Sequence, residues 1–272
     1  MANRAIGRCR VGVGGWTFAP WRGAFYPKGL AQSRELGFAS RRLTTIEING
    51  TFYGSQKPAS FLKWFEETPD DFVFSLKAPR FAVNRRLLAE AGPSIEKFFA
   101  SGVHHLGKKL GPILWQFAPH KKYEPDDFAR FMDLLPKSVE GLKLRHAIEV
   151  RHESFLVPGF VALLRRHKAA IVYAHHDEYP EAADVTADFV YCRLQSSAAK
   201  VKTGYALGDL KKWADRAISW SAGKPPRDLP TIAASPKPEK KTDVFVYFIS
   251  GAKERNPAAA MRLIDMLNGA RS

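Results

Sequence analysis

Cysteine is nearly absent from this 272-residue chain, which contains Cys9 and Cys192 and no others. Two thiols cannot build the disulfide framework of a small secreted protein or a cysteine-based zinc site, and they fit a reducing compartment. The first ten residues lack the apolar core of a signal peptide, and no apolar run reaches the ~18 residues of a membrane helix. We therefore expect a cytoplasmic protein with no membrane segment.

The sequence also lacks the common motifs for cofactor binding and hydrolysis. Gly12, Gly14 and Gly15 begin like a dinucleotide-binding loop, but Thr17 stands where the last glycine of G-x-G-x-x-G belongs. No Walker lysine follows, and neither G-x-S-x-G nor H-E-x-x-H occurs. The sequence therefore predicts no nucleotide cofactor and leaves the cofactor unknown.

Acidic residues are few relative to basic ones: 27 Asp and Glu stand against 42 Lys and Arg, a formal net charge of +15. This excess favours anionic partners such as phosphates or nucleic acid. A basic surface that only maintains solubility is the other interpretation. Basic residues crowd three of the predicted loops, at Arg80, Arg85, Arg86, Lys121, Lys122, Lys200 and Lys202.

Eight short apolar runs rich in β-branched and aromatic residues predict strands. Their mean spacing of ~33 residues agrees with the ~31 expected for a (β/α)8 barrel of ~250 residues. Amphipathic helical segments lie between most of them, so the strands should be parallel. The predicted fold is α/β, a single TIM (β/α)8-type barrel over residues 1–272. The predicted strands are Val11–Val13, Thr45–Ile48, Phe72–Leu76, Ile113–Phe117, Ala147–Val150, Ala170–Tyr173, Phe189–Leu194 and Val244–Phe248.

Two segments depart from the regular alternation of strand and helix. His175–Asp188, between the sixth and seventh strands, has no helical pattern, which predicts an irregular sixth βα unit. Gly223–Thr242 contains five prolines among lysines and predicts an extended surface insertion before the eighth strand.

Side chains of a barrel strand alternate between the helix layer and the lumen. Ile46 and Ile48 must face the helices, which turns Glu47 and Asn49 into the lumen. The same alternation in other strands directs polar side chains inward near the carboxyl ends, where the active sites of such barrels form. These further side chains are Lys77, Gln116, Glu149, Arg151 and Arg193.

Five of the inward side chains are charged: Glu47 and Glu149 against Lys77, Arg151 and Arg193, which sum to +1. Burying a charge costs several kcal/mol unless it is paired. A salt-bridge layer that only fixes the barrel register is one interpretation. Clustering at the carboxyl ends of the strands favours the other, a functional site.

Aromatic residues follow the first two strands at the same face. Trp16, Tyr26 and Tyr53 are candidates for stacking on a sugar or base, and packing of the loops against the barrel is the alternative for each.

A possible metal site follows the sixth strand. His175, His176 and Asp177 are candidate ligands beside Glu47 and Glu149. A divalent metal is not favoured, because the other strand ends supply too few histidines.

Several short motifs occur in a fixed order along nearly the whole chain. They are Val11–Trp16 with Trp21 and Phe25–Pro27, Glu47–Asn49 with Phe52–Tyr53, Lys77–Pro79, Gln116–Phe117, Glu149–His152 with Phe155, Tyr191–Arg193 and Asn256–Leu263. In this combination the sequence resembles the YecE-like family, domain of unknown function 72. The resemblance implies a TIM barrel and brings no established reaction, cofactor or substrate.

The resemblance highlights ten residues, most of which the strand alternation already turns inward: Trp16, Tyr26, Glu47, Asn49, Tyr53, Lys77, Gln116, Glu149, Arg151 and Arg193. The chain departs from the family pattern in three places. Gln195–Ser196 replaces a frequent His-Gly pair, Ile249–Ser250 replaces an Asn-Asn pair, and His175 stands where aspartate is common.

The leading hypothesis is an acid/base enzyme, a hydrolase or lyase, in which Glu47 and Glu149 transfer protons. One carboxyl is kept protonated by the charge of the other, with Lys77 and Gln116 orienting the reacting groups. Arg151 and Arg193 clamp a phosphate or carboxylate of a small anionic substrate or a nucleic acid.

Other hypotheses stay open. Lys77 could form a Schiff base with a carbonyl substrate. The chain could instead be a non-catalytic nucleic-acid-binding protein that uses its basic loops and stacking aromatics. The oligomeric state is not predicted.

Overall fold

A computed structural model describes residues 7–234 and 241–270 of the chain. Eight parallel strands pair in chain order, and the last pairs with the first to close a barrel. The predicted TIM-type α/β barrel is thus confirmed. The strands are β1 (Cys9–Gly14), β2 (Thr45–Ile48), β3 (Val73–Lys77), β4 (Leu110–Gln116), β5 (His146–Glu149), β6 (Ala170–His175), β7 (Phe189–Leu194) and β8 (Asp243–Phe248).

Helices connect the strands, and a proline occupies the first turn of five of them, where its missing N–H costs no hydrogen bond. None in the described ranges is long and apolar enough to cross a bilayer. The helices are α1 (Glu35–Ala39), α2 (Gly50–Tyr53), α3 (Pro58–Glu67), α4 (Arg80–Val83), α5 (Gly92–Ala100), α6 (Pro125–Leu134), α7 (Pro158–His167), α8 (Leu207–Ser221) and α9 (Asn256–Gly269). A short hairpin precedes β5; its two antiparallel strands have two residues each, Ser138–Val139 and Leu142–Lys143.

The barrel has two apolar layers, as the alternation of side chains requires. Ile46 and Ile48 belong to the large cluster between strands and helices, whereas Tyr191 and Tyr247 belong to a smaller cluster inside the lumen. The two tyrosine rings lie 4.9 Å apart, and Thr45 Oγ1 lies 2.8 Å from the Tyr247 hydroxyl. The lumen is therefore filled below the carboxyl ends of the strands, and only the mouth is left for a ligand.

The two irregular segments contact each other. Residues 176–188 contain no helix. Instead, the buried Asp184 carboxylate accepts hydrogen bonds from the backbone N–H groups of Ile232 (2.7 Å) and Ala233 (3.0 Å), and Ala183 N–H donates to Pro230 O at 2.8 Å. The described part of the proline-rich insertion thus packs on the sixth βα unit. Pro236 and Pro238 lie outside the described residues.

Candidate functional site

Arg193 at the end of β7 bridges two carboxylates inside the barrel. Its Nε and Nη2 donate to the two oxygens of Glu47 on β2, each at 3.1 Å, and its Nη1 donates to Glu149 Oε2 on β5 at 2.6 Å. Both glutamates are fully buried, and Arg193 is 2% exposed. The alternation of side chains thus brings together three charged residues distant in sequence.

The remaining carboxylate oxygens are also satisfied. The Tyr191 hydroxyl donates to Glu47 Oε2 at 2.6 Å. Glu149 Oε1 accepts from Gln116 Nε2 at 2.9 Å and from Arg151 Nε at 2.8 Å. Every oxygen of the pair therefore accepts at least one hydrogen bond, as buried carboxylates require.

These contacts correct one part of the prediction, the protonated state of Glu149. Burial by itself raises the pKa of the Glu149 carboxyl, but the charges of Arg193 and Arg151 outweigh burial and lower this pKa to about 2. Burial by itself lowers the pKa of Arg193, but the negative charges of Glu149 and Glu47 outweigh burial and raise this pKa. Glu149 is therefore not the carboxyl that the charge of the other keeps protonated, because Arg193 lies between the two. The pair anchors the arginines.

Lys77, the last residue of β3, is the cation that these carboxylates leave unpaired. Within residues 7–234 and 241–270 its ammonium has no ion-pair partner and no hydrogen bond. It lies 4.1 Å from the centroid of the Phe52 ring. Burial, followed by the charge of Arg193, lowers the pKa of Lys77 to about 8. Lys77 is 8% exposed, and at a pKa of about 8 a fraction of its side chain is neutral at physiological pH.

A cavity of about 710 Å³ opens above this cluster at the carboxyl-terminal mouth of the barrel. Seven of the ten highlighted residues line it: Trp16, Asn49, Tyr53, Lys77, Gln116, Arg151 and Arg193. Glu47 and Glu149 lie beneath its floor, bonded to lining residues. The Trp16 ring meets Trp64 edge to face at 5.4 Å, so aromatic rings form one wall.

Tyr26 does not line this cavity. It is buried among the rings of Trp21, Phe25 and Phe38, and its hydroxyl donates to the backbone carbonyl of Trp16. The prediction of direct ligand contact is therefore corrected: Tyr26 holds the loop that carries Trp16. The sequence gives no signal to separate these two roles for a loop aromatic.

Sequence reasoning missed several lining residues, including Gln56, Trp64, Lys253 and Asn256. Lys253 contributes a further cation, and its Nζ lies 4.5 Å from the centroid of the Phe18 ring. Burial lowers the pKa of Lys253. The available signal was position, because Lys253 lies between the last strand and the last helix, where barrels often bind phosphate.

The candidate metal ligands do not meet the glutamates. His175 faces the helix layer, with its ring 5.1 Å from that of Trp213 on α8. His176 stacks on Tyr179 at 4.2 Å, and Asp177 is exposed. In the part of the chain that the structure describes, no three His, Cys, Asp or Glu side chains could hold a metal ion together.

At the departures from the family pattern, Ile249 and Ser250 line the cavity. Gln195 is buried with its Nε2 unpartnered, and Ser196 N–H donates to the Tyr205 hydroxyl at 2.9 Å.

Part of the basic loop set is engaged within the protein. Arg85 donates to Phe81 O at 3.1 Å and to Ser94 Oγ at 3.0 Å. Lys121 donates to Arg86 O at 2.8 Å and lies 3.7 Å from an Asp127 oxygen. These contacts account for Arg85 and Lys121 without a nucleic acid.

Comparison with known proteins shows the family. The family described as "Protein of unknown function DUF72" matches residues 10–272. The UPF0759 protein YecE of Escherichia coli K12 is 26% identical over 150 residues, 55% of this chain and 50% of that protein. The chain thus matches about half the length of its curated relatives.

Solved structures agree in fold. A DUF72 family protein of Thermotoga maritima gives a TM-score of 0.73 at 21% identity, covering 96% of this chain and 99% of the other. One from Enterococcus faecalis V583 gives 0.69 at 16% identity, covering 96% and 95%. Because the family match extends over nearly the whole sequence, this chain belongs to the DUF72 family.

Proposed function

We propose that the chain is an acid/base enzyme that binds a small anionic substrate at the barrel mouth, with Lys77 as the proton-transferring residue. The observation that carries the proposal is the unpaired ammonium of Lys77 beside a cavity whose other buried charges are matched. In its neutral form Lys77 is a general base with a pKa of about 8, suited to neutral or mildly alkaline pH.

The charge balance supports an anionic substrate. While Lys77 is charged, the three positive charges of Lys77, Arg151 and Arg193 exceed by one the two negative charges of Glu47 and Glu149 at the cavity floor. When Lys77 gives up its proton and becomes the base, Arg151 holds the anion. Uncompensated charge is costly in a partly desolvated site, so a phosphate or carboxylate stabilises it.

Arg151 is the residue we assign to the anion. Its Nε is held by Glu149 and its Nη1 donates to the Tyr179 hydroxyl at 3.3 Å. Its Nη2 makes no hydrogen bond to any residue the structure describes. The guanidinium is thus fixed with one nitrogen available. All three nitrogens of Arg193 donate to carboxylates, so we assign Arg193 to positioning Glu47 and Glu149 and not to binding the anion.

Two reaction classes fit this arrangement. In hydrolysis, neutral Lys77 takes a proton from the attacking water as its oxygen bonds to the phosphorus or carbonyl carbon, and the Lys77 ammonium returns that proton to the leaving group as the bond to it breaks. In elimination, neutral Lys77 takes a proton from the carbon next to the leaving group, the C–H electron pair forms the double bond, and the leaving group departs with its bonding electrons. The aromatic wall of Trp16 and Trp64 suits a planar part of the substrate.

The test is a screen of phosphorylated and carboxylated metabolites by mass spectrometry, with the wild type, Lys77→Met and Lys211→Met. Lys211 is an exposed residue of α8 and serves as the matched control. We expect the wild type and Lys211→Met to consume the same anionic compound and Lys77→Met to leave it unchanged. Equal consumption by all three contradicts the proposal.

The same preparations distinguish the nucleic-acid alternative. Binding of single-stranded DNA that is independent of sequence and falls steeply with salt, without consumption of any metabolite, favours a non-catalytic protein.

A further inference from the structure

A second cavity of about 430 Å³ lies next to the mouth of the barrel. It is formed by the loops after β2 and β3 and by α5, and its largest apolar side chains are Phe52, Phe81 and Phe98. Gln56 lines both cavities. The two spaces are therefore neighbours and not opposite faces of the barrel.

Phe52 connects the second cavity to the chemistry of the first. Its ring lies 4.1 Å from Lys77 Nζ and 5.1 Å from the ring of Tyr53, which lines the first cavity. The Phe52 ring thus contacts Lys77 and also lines the second cavity.

Large aromatic side chains are exposed beside both cavities. Phe81, which lines the second, is 60% exposed, and Tyr53 is 67% exposed. Exposed aromatic surface around a cavity gains free energy when a ligand covers it. A ligand bound in the adjacent cavity can cover the apolar surface of each ring.

We infer that the second cavity binds an aromatic group of the substrate, whose anionic group lies at Lys77 and Arg151. The substrate class is an aromatic anion, such as an aryl or arylalkyl phosphate or carboxylate. This inference rests on the proposed function, because it takes the position of the anionic group from it. Phe81 then determines specificity through the non-reacting part of the substrate and takes no part in proton transfer.

The probes are two phosphonates that resist hydrolysis and differ only in the aromatic part: methylphosphonate and (naphthalen-1-ylmethyl)phosphonate. Calorimetric titration of the wild type should give about tenfold tighter binding of the naphthyl compound, from the extra apolar area it buries. Phe81→Ala removes a wall of the second cavity, and Ser94→Trp fills it. Both should abolish most of this advantage and leave methylphosphonate binding unchanged.

Leu207→Ala is the matched control, because Leu207 is 53% exposed at the start of α8 and lines neither cavity. It should retain the full advantage of the naphthyl compound. Equal binding of the two phosphonates to the wild type overturns the inference while leaving the proposed anion site intact. An advantage that persists in both Phe81→Ala and Ser94→Trp also overturns it. If neither phosphonate binds, the proposed function fails and this inference fails with it.

Discussion

Arg193 Nη1 and Glu149 Oε2 lie 2.6 Å apart inside the barrel, although 44 residues separate them in the chain. This ion pair is the centre of a network in which one guanidinium satisfies two buried carboxylates. Buried pairs of this kind contribute little net stability relative to apolar residues, but removing one partner is costly. The network therefore makes Arg193 a structural requirement of the site.

Replacing Arg193 should destabilise the protein strongly. Arg193→Met leaves Glu47 and Glu149 without their shared partner, and we expect a loss of about 3–5 kcal/mol in the free energy of unfolding. Urea denaturation followed by circular dichroism measures it. Lys212→Met, at an exposed ion pair on α8, should change stability by less than about 0.5 kcal/mol. Similar small effects of both substitutions would show that the buried network is not needed for folding.

The stability of the protein should fall in acid through Glu149. Because its pKa is about 2 in the folded state against 4.5 for an ordinary glutamate, the folded state releases the proton more readily. The stabilisation is therefore complete above about pH 4.5 and is lost as the pH falls through 2, by roughly 3 kcal/mol. The free energy of unfolding of the wild type and of Glu149→Gln, measured between pH 6 and 2, isolates the contribution of Glu149. If the free energies of both proteins fall equally with pH, Glu149 makes no such contribution.

His146 should remain neutral well below its ordinary pKa. Burial lowers the pKa of its imidazole to about 4. Trp115 Nε1, which can only donate, lies 3.0 Å from Nδ1, so Nε2 carries the proton and donates to Pro136 O at 2.7 Å. Nitrogen chemical shifts should show this one tautomer from pH 7 to about 5. A ring that becomes charged near pH 6.5 would contradict the assignment.

Arg151→Ala should weaken binding of methylphosphonate about tenfold or more, since a charge-assisted hydrogen bond to the anion is lost. Glu149 keeps Arg193 and Gln116 as partners, so the fold should persist. Calorimetry measures the affinity, and Arg216→Ala on α8 is the control outside the cavity. Unchanged affinity in Arg151→Ala would show that the anion binds elsewhere.

Strand alternation predicted the inner layer correctly because the outer positions of the strands are so clearly apolar. Ile46 and Ile48 pack in the outer layer and turn Glu47 into the lumen, and Ile148 does the same for Glu149 on β5. The same alternation of side chains in β6 turns His175 toward the helices, which excludes it as a metal ligand in the lumen. Val172 lies in the lumen cluster, which turns His175 outward.

Other features depend on contacts that the sequence pattern does not encode. The direction of a strand residue does not reveal which charges meet, so the shared guanidinium of Arg193 was not predicted. The amphipathic segment between β3 and β4 does not form one continuous helix: α5 ends at Ala100, and Gly102 and Gly107 have positive φ angles of 102° and 48°. β4 begins at Leu110, three residues before the predicted strand.

The role proposed for Lys77 depends on the pKa of its ammonium, which a titration can measure. Lysines carrying ¹³C-methyl groups can be followed by NMR, with Lys77→Met identifying the signal. We expect a pKa of about 8 for Lys77 in the free protein. We also expect this pKa to rise when methylphosphonate binds, because a nearby anion stabilises the charged ammonium. A pKa near the ordinary 10.5 that does not move with the anion would contradict both the environment and the role assigned to Lys77.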